Sequence, residues 1–172
     1  MEPISYPRIA LLGKMASGKT HYALRLLEAN PKMHRLAFAD PIKELAHDLF
    51  GMEGKDRKLL QQIGSKMREI DENVWINTLL RRAEGYASVV VDDVRYPNEI
   101  RSLQEAGFHI RYLEVSPQTQ RARIMNIYGE DWQQHFDNMG HDSERADQYR
   151  ELADSVVPES TDTIIHQNGE LS

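Results

Sequence analysis

Short apolar runs alternate with longer amphipathic stretches along nearly the whole chain. Five runs have strand length: Arg8 to Leu12, Arg35 to Ala39, Ser88 to Asp92, His109 to Val115 and Thr163 to His166. The segments between them repeat their apolar residues at helical spacing over roughly ten to fifteen residues. Strands that alternate with helices predict a parallel sheet joined by crossover helices. The expected architecture is α/β, a five-stranded parallel sheet with helices on both faces. No repeat, low-complexity tract or linker interrupts the pattern, so residues 1–172 read as a single domain.

Boundary residues sharpen several of these helices. Gly18 to Asn30 carries Ala23, Leu26 and Leu27 on one stripe and is stopped by Asn30 and Pro31. Asp40 and Pro41 suit an N-cap and a first helical residue. Asp40 also stands at the carboxyl end of a strand, where open α/β sheets place ligands. In Asp56 to Ile70, Leu59, Leu60, Ile63, Met67 and Ile70 share one face, while Arg57, Gln61, Gly64, Ser65 and Arg68 share the opposite one. A glycine inside a helix costs about 1 kcal/mol relative to alanine, so Gly64 between two arginines fits close approach by an anion. Glu72 to Arg82 forms the next helix, in which Trp75 is either a core aromatic or a stacking surface for a base. Asn98 is placed to cap a helix from Glu99 to Ala106, and Ser116 with Pro117 to open one that carries Arg121 and Arg123. Gly129 to Ser143 is polar and lacks a clean period, which reads as a mobile flap.

The turn after the first strand carries the sharpest chemical signal. Gly13, Lys14, Met15, Ala16, Ser17, Gly18, Lys19 and Thr20 fit GxxxxGK[ST] without a mismatch, between a strand and a helix. Glycines let backbone N–H groups close around phosphate oxygens, and the following helix points its positive end at them. Lys19 then neutralises β- and γ-phosphate charge, and Thr20 ligates Mg²⁺. The third apolar run ends in Asp92 and Asp93, and a carboxylate there is the second part of such a site, holding Mg²⁺ directly or through water. Arg95 and Glu99 can face the cleft or simply lie on the surface. Arg121 and Arg123 can close over transferring phosphates or line a helix. His135 and His141 show no metal-ligand spacing, and Ser143 and Glu144 are undecided between a neighbour and a ligand.

Composition narrows the class further. Hydrophobic residues make up 40% and charged residues 28% of the chain, the balance of an ordinary soluble globule. The lack of cysteine excludes disulfides and cysteine–metal centres. Met1 to Arg8 has no signal-peptide pattern and no apolar run reaches bilayer length, so a cytoplasmic location is expected. A net charge of −6 opposes non-specific nucleic-acid binding, while a local cluster of cations can still take a nucleotide.

The ordered set GKMASGKT (13–20), FADPIKELAHDLFG (38–51), DRKLLQQIGSKMRE (56–69), VW (74–75) and DDVRYPNE (92–99) resembles the deoxynucleoside monophosphate kinases of tailed bacteriophages. The resemblance covers nearly the whole chain, and DTIIHQNG (162–169) is similar to the last strand of that family and of dephospho-coenzyme A kinases. It implies a three-layer P-loop kinase fold, with a substrate-binding helical insertion at about 40–86 and a lid at about 121–145. It also implies transfer of the γ-phosphoryl of ATP to a deoxynucleoside monophosphate with Mg²⁺, in the host cytoplasm if the chain is phage-encoded. Matched residue by residue, the monophosphate pocket falls on Arg57, Lys58, Gly64, Ser65, Trp75, Asp93, Arg95 and Glu99. Asp40, Gln61 and Arg68 join this acceptor set, Lys19, Arg121 and Arg123 form the catalytic set, and Thr20 with Asp92 the metal set. The implied partners are small nucleotides, with neither nucleic acid nor membrane, and a homodimer is compatible. Two rivals keep the P-loop: a kinase of another small acceptor such as dephospho-coenzyme A, and a nucleotide-binding switch without transfer chemistry.

Overall fold

The computed structural model describes residues 6–134, 136–137 and 145–159. Strands β1 (Arg8–Leu12), β2 (Met33–Leu36), β3 (Ser88–Val91), β4 (His109–Leu113) and β5 (Ser155–Val157) form one sheet in the order β2-β3-β1-β4-β5. All four pairings are parallel. Ile9 to Leu12 are wholly buried, and alternation along β1 sends them to two different cores. Ile9 and Leu11 pack with Ala23, Leu26, Met33 and Val90, whereas Ala10 and Leu12 pack with Leu79, Val89, Val91, Ile100 and Ile110. Helix α1 (Lys19–Ala29) supplies the first face. Between β2 and β3 come α2 (Ala39–Phe50), α3 (Arg57–Ile70) and α4 (Val74–Ala83), and α5 (Pro97–Glu105) follows β3. Helices α4 and α5 cover the second face, so the three-layer α/β architecture expected from the alternating runs is the one observed.

Where local pattern and structure differ, a long-range contact decides. β2 ends at Leu36 rather than Ala39, because the Asp93 carboxylate at the end of β3 accepts the N–H groups of Phe38 (2.9 Å) and Ala39 (3.0 Å). The chain turns there into α2, and Asp40 lies within its first turn instead of capping it. Asp56 does cap α3, accepting the Leu59 N–H at 3.0 Å. Ile70 is 80% exposed rather than buried with its stripe. A helical wheel gives the direction of a side chain, not whether a neighbour extends that far.

Trp75 is a core residue and not a stacking surface for a base: it is 3% exposed, and its indole N–H donates to the Gly64 carbonyl at 3.2 Å. Gly64 is buried as well. A Cβ there would lie 3.5 Å from Ile42 Cδ1 and 3.4 Å from Arg68 Nη1, ordinary contact distances, so the position is covered by α2 and Arg68 and is not an open anion seat. Trp75, Ile76, Leu79 and Ala83 belong to the sheet core, so α4, the last of the three helices between β2 and β3, packs as a layer helix.

Helix α5 starts at Pro97, two residues before the expected Glu99, with Tyr96 and not Asn98 as its N-cap. The Glu99 carboxylate reaches back to the N–H groups of Arg95 (2.8 Å) and Tyr96 (3.1 Å). Helix α6 (Pro117–Tyr128) opens as expected, the Ser116 hydroxyl accepting from the Thr119 N–H at 3.2 Å. Residues 121–128, the first part of the expected lid, are helical within α6, and 3-10 segments follow at Gly129–Asp131 and Arg145–Leu152. The fifth place in the sheet is taken by Ser155–Val157, too short an apolar run to stand out among polar neighbours. The expected strand Thr163 to His166 lies outside the described residues, as do His135, His141, Ser143 and Glu144. Among the described residues no helix is long and apolar enough to cross a membrane.

Replacing Trp75 by alanine removes the ring that joins α4 to α3 and leaves a cavity. Urea unfolding followed by circular dichroism is expected to show a loss of about 3–5 kcal/mol.

Candidate active site

The loop between β1 and α1 is held so tightly that its composition follows from geometry. A Cβ on Gly13 would stand 2.7 Å from Ser17 Oγ and 2.8 Å from the Leu113 carbonyl oxygen, so only glycine fits against β4. Gly18, the N-cap of α1, has φ 94°, in the left-handed region that glycine reaches without strain. Ala16 also has positive φ, 57°, an uncommon conformation for a residue with a side chain. Lys19 Nζ donates to the Gly13 and Lys14 carbonyls, each at 2.7 Å, and to Ser17 Oγ at 3.4 Å. Its charge thus lies on the loop itself, where phosphate oxygens would replace those carbonyls. Thr20 follows in the first turn of α1 and is exposed.

Asp92, directly after β3, is 4% exposed. Its Oδ2 accepts from Arg35 Nε at 2.8 Å, while Oδ1 is buried with no hydrogen-bond partner among the described residues. The hydrogen bond to Asp92 holds the Arg35 guanidinium above its ordinary pKa against burial, aided by the charges of Asp92, Asp40 and Asp93. An orphaned carboxylate oxygen calls for a cation or a donor. Mg²⁺ takes oxygen ligands and usually keeps waters and substrate phosphates in its shell. Among the described residues no group of three or more His, Cys, Asp or Glu is placed to hold a metal. Thr20 and Asp92 therefore fit a cation whose remaining ligands are phosphate and water.

A second cluster gathers beyond β3. The Arg68 guanidinium lies over the Tyr96 ring, 5.5 Å from its centroid, and its charge acts on Glu99. Glu99 is 4% exposed, and burial pushes its pKa up to about 7. The Arg95 and Tyr96 N–H groups and Arg68 oppose that rise, and Asp93 adds to it. Burial likewise raises Asp93, against the N–H groups of Phe38 and Ala39; Asp92 adds to the rise and Arg95 opposes it. The residue Asp93 is half-buried, but its carboxylate is turned into the protein.

Arg68, Asp93, Arg95 and Glu99 are thus brought together. Arg57, Lys58, Gln61 and Ser65 are exposed along α3. Arg57 precedes Arg68 by eleven residues, about 16 Å of helix axis. The two share a face but not a height, so Arg57 stands at the far end of the helix from Arg68.

Helix α6 meets the loop from another side. Arg123, which could close over phosphates or line a helix, is 6% exposed beside the loop, with Nη1 donating to the Ala16 carbonyl at 2.9 Å. Gln120, 4% exposed, donates from Nε2 to the Met15 carbonyl at 3.0 Å. Arg121 is exposed, its guanidinium 6.0 Å from the Trp132 ring centroid. Lys14 Nζ pairs with Asp147 at 2.6 Å, and Asp147 also accepts from the Tyr112 hydroxyl. Burial would raise Asp147, yet Lys14 and Tyr112 keep it below the ordinary carboxylate range. Arg35, Gln120 and Asp147 escaped the sequence reading. The available signal for Arg35 was a guanidinium inside an apolar run ending at the ligand edge of the sheet; Gln120 and Asp147 sit in polar stretches that carry none.

Glu99 gives the site a pH signature. Its carboxyl prefers to be protonated when buried, so its contribution to stability is fully present below pH 4.5 and is lost as pH rises through about 7. Across that window Glu99→Gln is expected to flatten the fall in stability relative to wild type, by an amount of order 3 kcal/mol from the linkage relation. Parallel slopes in urea unfolding at pH 5 and pH 8 would contradict this.

No protein-family model and no curated protein sequence matches the chain. Among solved structures, shikimate kinase from Acinetobacter baumannii in complex with shikimate is similar over 96% of this chain and 97% of its own, at TM-score 0.56 and 18% identity. Shikimate kinase from Bacteroides thetaiotaomicron is similar over 93% of each chain, at TM-score 0.56 and 14% identity. At these identities the likeness is one of fold: the chain has the P-loop kinase fold of those enzymes.

Proposed function

We propose that the chain is an ATP-dependent phosphotransferase, and specifically a deoxynucleoside monophosphate kinase that yields a deoxynucleoside diphosphate and ADP. One observation carries this reading: two features suited to anions share the carboxyl edge of the sheet. One is the P-loop after β1, and the other, after β3, is the cluster of Arg68 and Arg95 with Asp93 and Glu99. Such an arrangement lets two phosphate-bearing ligands approach tail to tail, which is the main demand of the reaction.

Phosphoryl transfer asks the protein for position and charge rather than covalent chemistry. Loop N–H groups and the positive end of α1 hold the β- and γ-phosphates, and Lys19 exchanges loop carbonyls for phosphate oxygens. Thr20 and Asp92 would hold Mg²⁺, which would supply further positive charge to the migrating group. Arg68 and Arg95 take the acceptor phosphate, whose oxygens match a guanidinium fork. Arg121 is the arginine left to act from the flap side. The acceptor oxygen is already anionic, so no dedicated base is required. Asp93 and Glu99 act on this pocket from beneath, by fixing the backbone of Phe38, Ala39, Arg95 and Tyr96 around it.

A second reading keeps the fold and changes the acceptor to a small molecule with a hydroxyl group, such as dephospho-coenzyme A. Asp40 favours it: the residue is half-buried, close enough to Arg35 to act on its charge, and could serve as the base such an acceptor needs. A nucleotide switch without transfer is the third reading and predicts ATP binding without acceptor-dependent ADP.

A coupled assay of ADP release, with Mg·ATP and each of the four deoxynucleoside monophosphates, is expected to show turnover with at least one. Silence with all four, alongside turnover with a hydroxyl acceptor that Asp40→Asn abolishes, would move the assignment to the second reading. Lys19→Ala is expected to lower kcat by about 100- to 1,000-fold, the usual loss when one charge-stabilising donor is removed. Arg68→Ala should raise KM for the monophosphate while leaving KM for ATP in place.

A further inference from the structure

A phosphate-binding nest turns its N–H groups inward, so its carbonyls face outward and need donors of their own. Around this loop the four consecutive carbonyls divide into two pairs. Those of Gly13 and Lys14 accept from Lys19, which phosphate oxygens would draw away. Those of Met15 and Ala16 accept from Gln120 and Arg123, which come from one face of α6, three residues apart. Both side chains are almost wholly buried, and Arg123 Nε has no hydrogen-bond partner among the described residues. A buried guanidinium with an unmet donor is costly, and the contact made by its Nη1 falls on the one non-glycine residue of the loop with positive φ.

We propose that Gln120 and Arg123 are positioning residues that clamp the outward carbonyls of Met15 and Ala16, presetting the loop N–H groups for a triphosphate. The inference rests on the reading of the loop as the ATP site. In this role neither side chain touches phosphate; α6 acts through the backbone of the loop. ATP affinity then depends on having a donor at position 120, not on the volume that the side chain fills. The acceptor site, built from α3, α5 and the end of β3, is not affected.

Calorimetric titration of the full chain with ATP, without acceptor, tests the clamp with two variants. Gln120→Met keeps the length but has no donor, and is expected to weaken ATP about tenfold, the equivalent of one hydrogen bond. Gln120→His restores a neutral N–H donor and should bind within about threefold of wild type, with KM for the acceptor unchanged in both. Wild-type ATP affinity in Gln120→Met overturns the clamp. So does equal weakening in both variants, which would mark a packing role, or a rise in acceptor KM parallel to the loss of ATP. Should Gln120→Met fail to fold, Gln120→Glu keeps the shape but turns an acceptor toward the Met15 carbonyl. It must then bind ATP at least about tenfold more weakly, and wild-type binding overturns the proposal. A wild-type chain that binds no ATP would instead sink the ATP site itself and the clamp with it, whereas the preceding failures leave that site standing.

Discussion

A parallel sheet buried on both faces governs everything chemical in this protein. β1 lies at its centre with Ile9, Ala10, Leu11 and Leu12 fully buried, alternately against α1 and against α4 and α5. Because all strands run the same way, their carboxyl ends meet at a single edge. The P-loop leaves β1 there, Asp92 and Asp93 leave β3 there, and Asp40 follows β2 there. The sheet thus collects, from segments about seventy residues apart in sequence, the groups that one reaction would need together.

The charges at that edge are arranged before any ligand is considered. Arg35 is hydrogen-bonded to Asp92, Arg68 lies over Tyr96 and acts on Glu99, and Lys14 pairs with Asp147. Fixed dipoles and charges that need little rearrangement are the usual source of electrostatic catalysis. Two of the acids also build the backbone around them: Asp93 starts α2 and Glu99 starts α5 through hydrogen bonds to main-chain N–H groups. Structure and candidate chemistry therefore share the same carboxylates, and a change at either position reaches both.

Of the residues named from the sequence, those in the P-loop were the most legible, because that motif is one continuous turn whose conformation depends on its own glycines. The α3 wheel was half legible. It put Arg57 and Arg68 on one face correctly, but an angular projection has no axial coordinate, and the structure separates the two by most of the helix. The resemblance puts Trp75 and Gly64 in a ligand pocket, whereas their partners are each other and Ile42, contacts between different helices that no local window contains.

Taken alone, the sequence determined the alternation of strands and helices, the glycine-rich turn with Lys19 and Thr20 between β1 and α1, and the placement of acids after β3. These are set by hydrophobic period, glycine geometry and short-range spacing. Only the tertiary structure decided that Arg123 is bonded to the P-loop backbone, that Arg35 holds Asp92, that Asp93 ends β2 early, and that the fifth strand is Ser155–Val157. Each of these is a partnership between residues distant in the chain. Which buried donor meets which buried acceptor is known only once the layers have packed.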